Sequence, residues 1–144
     1  MDNNINSIMK KIKENIIKNN DKSLFKIEEE VQKLENINNI DNNIISDFLL
    51  LYEENPNFDF GMPGALTHFL ESFYKNGYEE KLIESIHRKP TRHTLWMLNR
   101  IINGTNIKEI KNIYIQELDI LAKNEKLNIS IRDLAIEYIA LYKS

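Results

Sequence analysis

The chain has 144 residues, 42% hydrophobic and 28% charged, so it is long enough to bury a core without staples. It carries no cysteine, which excludes disulfides, thiolate metal sites and thiol nucleophiles. The formal net charge of −3 argues against a nucleic-acid binder and leaves room for a basic protein partner.

Only 4 Gly and 3 Pro interrupt the chain, which favours long helices over strands and turns. Apolar residues recur at helical spacing almost throughout. Ile5, Ile8, Ile12 and Ile16 predict a first helix. Its lysines (Lys10, Lys11, Lys13, Lys18) are diluted by Asp2 and Glu14, and no aromatic residue interleaves them, so no nucleic-acid face is read there. The segment MDNNINSIMKKIKEN lacks a continuous apolar stretch, so it does not read as a secretory signal. No apolar run reaches the roughly 18 residues of a membrane span. The expectation is a cytoplasmic protein with no membrane partner.

Leu24, Ile27, Val31 and Leu34 predict a second helix, and Ile44, Phe48 and Tyr52, widened by Ile45, Leu49 and Leu51, a third. Asp21 and Asp41 stand where N-caps for these two are expected. NPNFDFGMPG, with two Pro and two Gly, is a loop. Pro63 suits the first turn of a fourth helix, because its missing N–H costs nothing there. Ala65, Leu66, Phe69, Leu70 and Phe73 line that helix up to Gly77, a C-cap residue. Tyr78, Leu82, Ile83 and Ile86 give a short fifth helix that Pro90 stops. The sixth, TRHTLWMLNRIIN, has Thr91 as N-cap and Gly104 past its end. Ile107, Ile110, Tyr114, Leu118 and Leu121 mark a seventh, and Ile131, Leu134, Ala135, Tyr138 and Tyr142 the last. The expected fold is all-α, a single domain over residues 1–144 of about eight antiparallel helices with short connections. Stacked helical hairpins of the HEAT-like α-solenoid kind are preferred over an orthogonal bundle.

All Gly and Pro, all three His and three of the four Arg lie between Pro56 and Gly104, which singles this window out from a helical scaffold. On a helical wheel, Thr94, Leu95, Leu98, Ile101 and Ile102 form an apolar face, and Arg92, His93, Trp96, Asn99 and Arg100 gather opposite. Arg92, Trp96 and Arg100 follow one another at i, i+4, so the indole is flanked by guanidinium groups of the kind that make cation–π contacts. Trp and Arg are also enriched at binding hot spots. The other reading packs Trp96 under a neighbouring helix, with Arg92 and Arg100 paired to Glu71, Glu84 or Asp59. The loop poses the same choice: Phe58 and Phe60 tuck into the core, with Asp59 capping the fourth helix or facing solvent, or the three form an interaction edge.

Catalytic constellations are not recognisable. His68, His87 and His93 lack the i, i+4 pairing of a helical zinc site. The acidic runs Glu28–Glu30, Glu53–Glu54 and Glu79–Glu80 point in different directions around their helices and read as solvated faces. Thr67–His68 and Thr91–Thr94 place hydroxyls near imidazoles without a recognisable orienting third group. No glycine-rich phosphate cradle occurs. No enzyme activity, metal or cofactor is expected.

The stretch FDFGMPGALTHFLESFYKNGYEEKLIESIHRKPTRHTLWMLNRIIN, from Phe58 to Asn103, resembles small helical immunity proteins of bacterial polymorphic-toxin and contact-dependent growth inhibition systems. The likeness lies in the G-x-P-G of Gly61–Gly64 ahead of a helix, and in Pro90–Thr91 followed by Trp96–Met97–Leu98–Asn99–Arg100. The flanking helices carry none of it. The resemblance implies a stoichiometric inhibitor that binds one cognate toxin domain and blocks it, without turnover or cofactor. Asp59, Phe60, Glu71, Arg92, Trp96 and Arg100 are the candidate partner-binding residues. Oligomeric state is not specified. A helical-repeat adaptor binding a host protein or peptide is the alternative.

Overall fold

The computed structural model describes residues 3–143; Asp2, read above as offsetting the first helix's lysines, lies outside them. The fold is all-α. Among the described residues there are eight helices: α1 (Asn3–Lys18), α2 (Ser23–Glu35), α3 (Ile44–Glu54), α4 (Gly64–Glu71), α5 (Tyr78–Arg88), α6 (Arg92–Gly104), α7 (Lys108–Lys123) and α8 (Ile129–Ala140). None of these is long and apolar enough to cross a membrane. The chain forms two compact units, Met1–Lys81 and Leu82–Ser144, with the division inside α5.

In the first unit, α1 packs on α2 and α2 on α4. The α1 stripe is Ile5, Ile8, Met9, Ile12 and Ile16, all buried. On α2 the stripe runs Ile27, Val31, Leu34 and continues backward to Ser23, leaving the expected core residue Leu24 at its edge and 41% exposed. Ser23 is held in because its Oγ accepts the Asn20 N–H at 2.9 Å. Asp21 does not cap α2: Lys22 holds the N-cap position without a side-chain cap, and the turn before it is closed by Asn20, whose side-chain oxygen accepts the Lys22 N–H at 2.9 Å. Asp41 is not the cap of α3 either: Asn43 holds the N-cap without a side-chain cap, and the Asp41 carboxylate accepts the Asn43 N–H at 2.9 Å in the turn before it. Helix α3 is buried nearly all round, through Ile44, Ile45, Phe48, Leu49, Leu51 and Tyr52. An edge-to-face series, Phe48 on Phe69 and Phe69 on Phe73, joins it to the α4 region.

Pro63 stands at the N-cap of α4, one position ahead of its first turn. Regular α-helix ends at Glu71, and tight turns carry the chain past buried Phe73 to Gly77. Gly77 has φ +101°, and the next N–H, of Tyr78, reaches back to the Phe73 carbonyl at 3.3 Å. That is the left-handed C-terminal turn for which glycine is the favoured residue.

The second unit is organised by α6, which packs on α7 and α8, themselves packed together. Thr91 caps α6 reciprocally: its Oγ1 accepts the Thr94 N–H at 3.1 Å, and Thr94 Oγ1 accepts the Thr91 N–H at 3.0 Å. Gly104 is the last helical residue of α6, and Thr105 closes it with a hydroxyl donated to the Ile101 carbonyl at 2.7 Å. On α7 only Leu118 and Leu121 are buried. Ile107 and Ile110, expected on the core face, are exposed; Tyr114 is half-buried. Helix α8 buries Ile131, Leu134 and Ala135, with Tyr138 half-buried; Tyr142, expected on this helix, is half-buried in the turn just past its end. His87 Nε2 lies 2.7 Å from Glu117 Oε2, tying the end of α5 to α7.

Candidate partner-binding surface

The solvent side of α6 is built on a helix whose other side is anchored. Met97, Leu98, Ile101 and Ile102 are buried, and the capping box fixes the first turn. Trp96 is half-buried above this base. Its ring centroid lies 5.4 Å from that of His93, edge-on at 64°. The Arg100 guanidinium carbon lies 5.2 Å from the indole, within cation–π range. His93, Trp96 and Arg100 thus form one aromatic and cationic cluster at i, i+3 and i+7.

Arg92 is exposed one turn earlier. Its charge acts on Tyr138, where burial pushes the phenol above its ordinary value and Arg92 partly offsets that rise. Asn99, which the wheel placed among the solvent-facing residues, is buried. The cause is Tyr142, whose hydroxyl donates to the Asn99 side-chain oxygen and also lies 2.9 Å from Asn103 Oδ1. Burial raises the Tyr142 pKa as well. A polar residue becomes core here because a distant residue satisfies it.

The other three candidates belong to the first unit. Phe60 is 4% exposed, with its ring 4.3 Å from Tyr52 and 4.8 Å from Phe58. Of the two readings of the loop, its ring follows the core one; Phe58 is half-buried beside it. Asp59 faces solvent, and its carboxylate accepts the Gly61 N–H at 2.9 Å rather than capping α4. Gly61 has φ +86°, and a Cβ there would sit 2.9 Å from Gly64 Cα, so the loop requires glycine at this turn. Glu71 Oε1 stands 3.5 Å from His68 Nδ1 on the same helix. Asp59, Phe60 and Glu71 thus lie in one unit, and Arg92, Trp96 and Arg100 in the other.

Sequence reasoning placed His93 beside Trp96 but did not single it out. It read Tyr142 only as a residue of the last helix and missed both its bond to Asn99 and the His87–Glu117 pair, because partners 30 to 43 residues apart leave no local pattern. Among the described residues, no group of three or more His, Asp or Glu could hold a metal ion. The α6 cluster offers recognition chemistry: a planar cation for carboxylates and carbonyls, an indole for apolar and aromatic groups. Comparison with known protein families, with curated proteins and with solved structures returns no match to this chain.

Proposed function

We propose that this chain is a cytoplasmic immunity protein that neutralises a cognate bacterial toxin domain by binding it one-to-one. The observation that carries this reading is the α6 cluster. A half-exposed Trp96 is held between His93 and Arg100 on a helix anchored by a buried face and a capping box. Aromatic and Arg side chains pre-ordered on a rigid element lose little entropy on binding, which is what a tight anchor needs. The net negative charge adds electrostatic steering toward a basic partner, felt chiefly in the association rate and weakened by salt. Asp59, exposed at the turn before Gly61, adds an acidic contact.

The test is co-expression with the product of the adjacent gene, followed by co-purification and growth rescue. A stable one-to-one complex is expected. Trp96→Ala and Arg100→Ala are each expected to cost at least about 2 kcal/mol of binding, the threshold of a hot spot. Absence of a complex at micromolar concentration, or rescue at substoichiometric levels, ends this reading. The alternative is the helical-repeat adaptor, favoured by the outward isoleucines Ile113 and Ile120 of α7 and Ile129 and Ile136 of α8. Binding lost on substitution of these residues, and retained in the α6 variants, would select it.

A further inference from the structure

Charge is divided unevenly between the two units. Met1–Lys81 holds nine Lys and Arg against fifteen Asp and Glu, whereas Leu82–Ser144 holds ten against seven and contains all four Arg. The negative balance of the chain therefore belongs to the first unit. The α6 cluster belongs to the second, which is net positive.

On the α6 wheel, Trp96 lies between Asn99 and Asn103 on one side and His93 and Arg100 on the other. The tyrosines of the last helix and its end stand on the asparagine side. The Tyr142 hydroxyl donates to the Asn99 side chain and lies 2.9 Å from Asn103 Oδ1, and Tyr138, one turn earlier, feels the charge of Arg92. Lys111 of α7 stands over the Tyr142 ring, its Nζ 5.2 Å from the centroid. These groups make a strip along α6, flanked by α7 and α8. Arg92 is exposed and Lys111 half-buried, and among the described residues neither forms an ion pair. The acid whose charge reaches Tyr138 is Glu137, which faces solvent.

The chemistry of the strip is that of cations and donors: two uncommitted positive charges, the indole N–H and the Tyr138 hydroxyl. Its complement is a set of carboxylates. From Arg92 to Asn103 the helix spans about 16 Å, the scale of a protein contact rather than of one small anion. Base stacking is disfavoured, since Arg100 lies over the indole and Lys111 over the Tyr142 ring.

We propose that the α6 strip docks an acidic surface of a protein partner, with Arg92 and Lys111 facing its carboxylates. This names the partner's chemistry opposite α6 and rests on the immunity reading only for the partner's identity. The chain's single Trp lies in the strip, so its fluorescence reports occupancy without a label. The probe is a blocked octapeptide of alternating Glu and Ser, titrated into the full chain at low ionic strength. A saturable change in Trp96 emission is expected, abolished in about 0.5 M salt, with no change for the Gln counterpart of the peptide. Arg92→Ala should weaken binding about threefold, the worth of one exposed charge contact, with an unchanged Tm, and Arg92→Lys should restore most of it. Lys126→Ala, which removes an exposed cation between α7 and α8, should leave the affinity as it was. No saturable change up to about 5 mM, an equal response to the Gln peptide, or an equal loss in Lys126→Ala overturns the proposal. So does tighter binding of an oligothymidylate of the same length, which would assign the strip to nucleic acid. Peptide binding without any toxin complex ends the immunity reading and leaves the acidic partner standing; a toxin complex without peptide binding does the reverse.

Discussion

Helix α6 buries Thr94, Leu95, Met97, Leu98, Asn99, Ile101 and Ile102, whereas α7, three residues longer, buries only Leu118 and Leu121. Both belong to the same unit, and both carry apolar residues at helical spacing. Each packs on two helices of its unit, yet the buried positions of α6 spread round much of its circumference, while Ile113 and Ile120 of α7 point outward. Periodicity marks which residues can share a face. Which faces the neighbours cover decides how many of them leave water, and with them how much apolar surface stabilises the fold.

The largest expected effect sets these two helices against each other. Leu98→Ala, at a fully buried position of α6, should cost about 2–5 kcal/mol in urea unfolding, through lost transfer energy and the cavity left behind. Ile113→Ala, at a residue 59% exposed, should stay within about 0.5 kcal/mol. Equal losses would break the comparison.

The same contrast extends to phenols and to pH. Tyr52 is fully buried with its hydroxyl 2.9 Å from Thr67 Oγ1, and burial pushes its pKa up while that hydrogen bond partly opposes the rise. The folded chain therefore keeps this proton at a pH where the unfolded chain has lost it. The contribution is intact below about pH 10, and stability should fall by about 1.4 kcal/mol per pH unit above that. Urea titrations across the alkaline range should show this slope, and Tyr52→Phe should flatten it. Tyr142, only half-buried, should alter the slope less when changed to Phe.

Helix starts offer a finer test. Thr91→Ala removes one half of a reciprocal cap and should cost about 1 kcal/mol by thermal or urea unfolding. Asp21→Ala, ahead of α2, whose N-cap Lys22 has no side-chain cap, should change stability by no more than about 0.5 kcal/mol. A reversal of these two would make Asp21 the cap of α2. The smallest effect concerns the end of α6, where Gly104 is helical and a Cβ would meet nothing within 4 Å. Gly104→Ala should stabilise by about 0.5 kcal/mol, visible as a small rise in Tm. The same change at Gly61, with φ +86° and Gly64 Cα 2.9 Å from the new methyl, should destabilise instead.

Much of the fold was legible because it rests on local rules. Sparse breakers and helical spacing predicted an all-α chain, and α1, α3 and the buried side of α6 follow their apolar stripes residue by residue. Thr91 and Gly77 were readable as a cap and a left-handed stop because short-range backbone hydrogen bonding selects those residue types. The neighbourhood of Trp96 and Arg100 was readable for the same reason, since i, i+4 proximity is a property of one helix.

The places of Asn99, Phe60 and Ile110 were settled by tertiary structure alone. Asn99 reads as a surface residue until Tyr142, 43 positions away, supplies the hydroxyl that lets it be buried. Phe60 reads equally as core or interaction edge until Tyr52 stands 4.3 Å from its ring. Ile110 reads as core-forming, yet the tertiary structure leaves it 40% exposed. A single helix determines which side chains lie next to one another. Burial and hydrogen-bond satisfaction depend on what the rest of the chain brings to them, and no stretch of sequence contains that information locally.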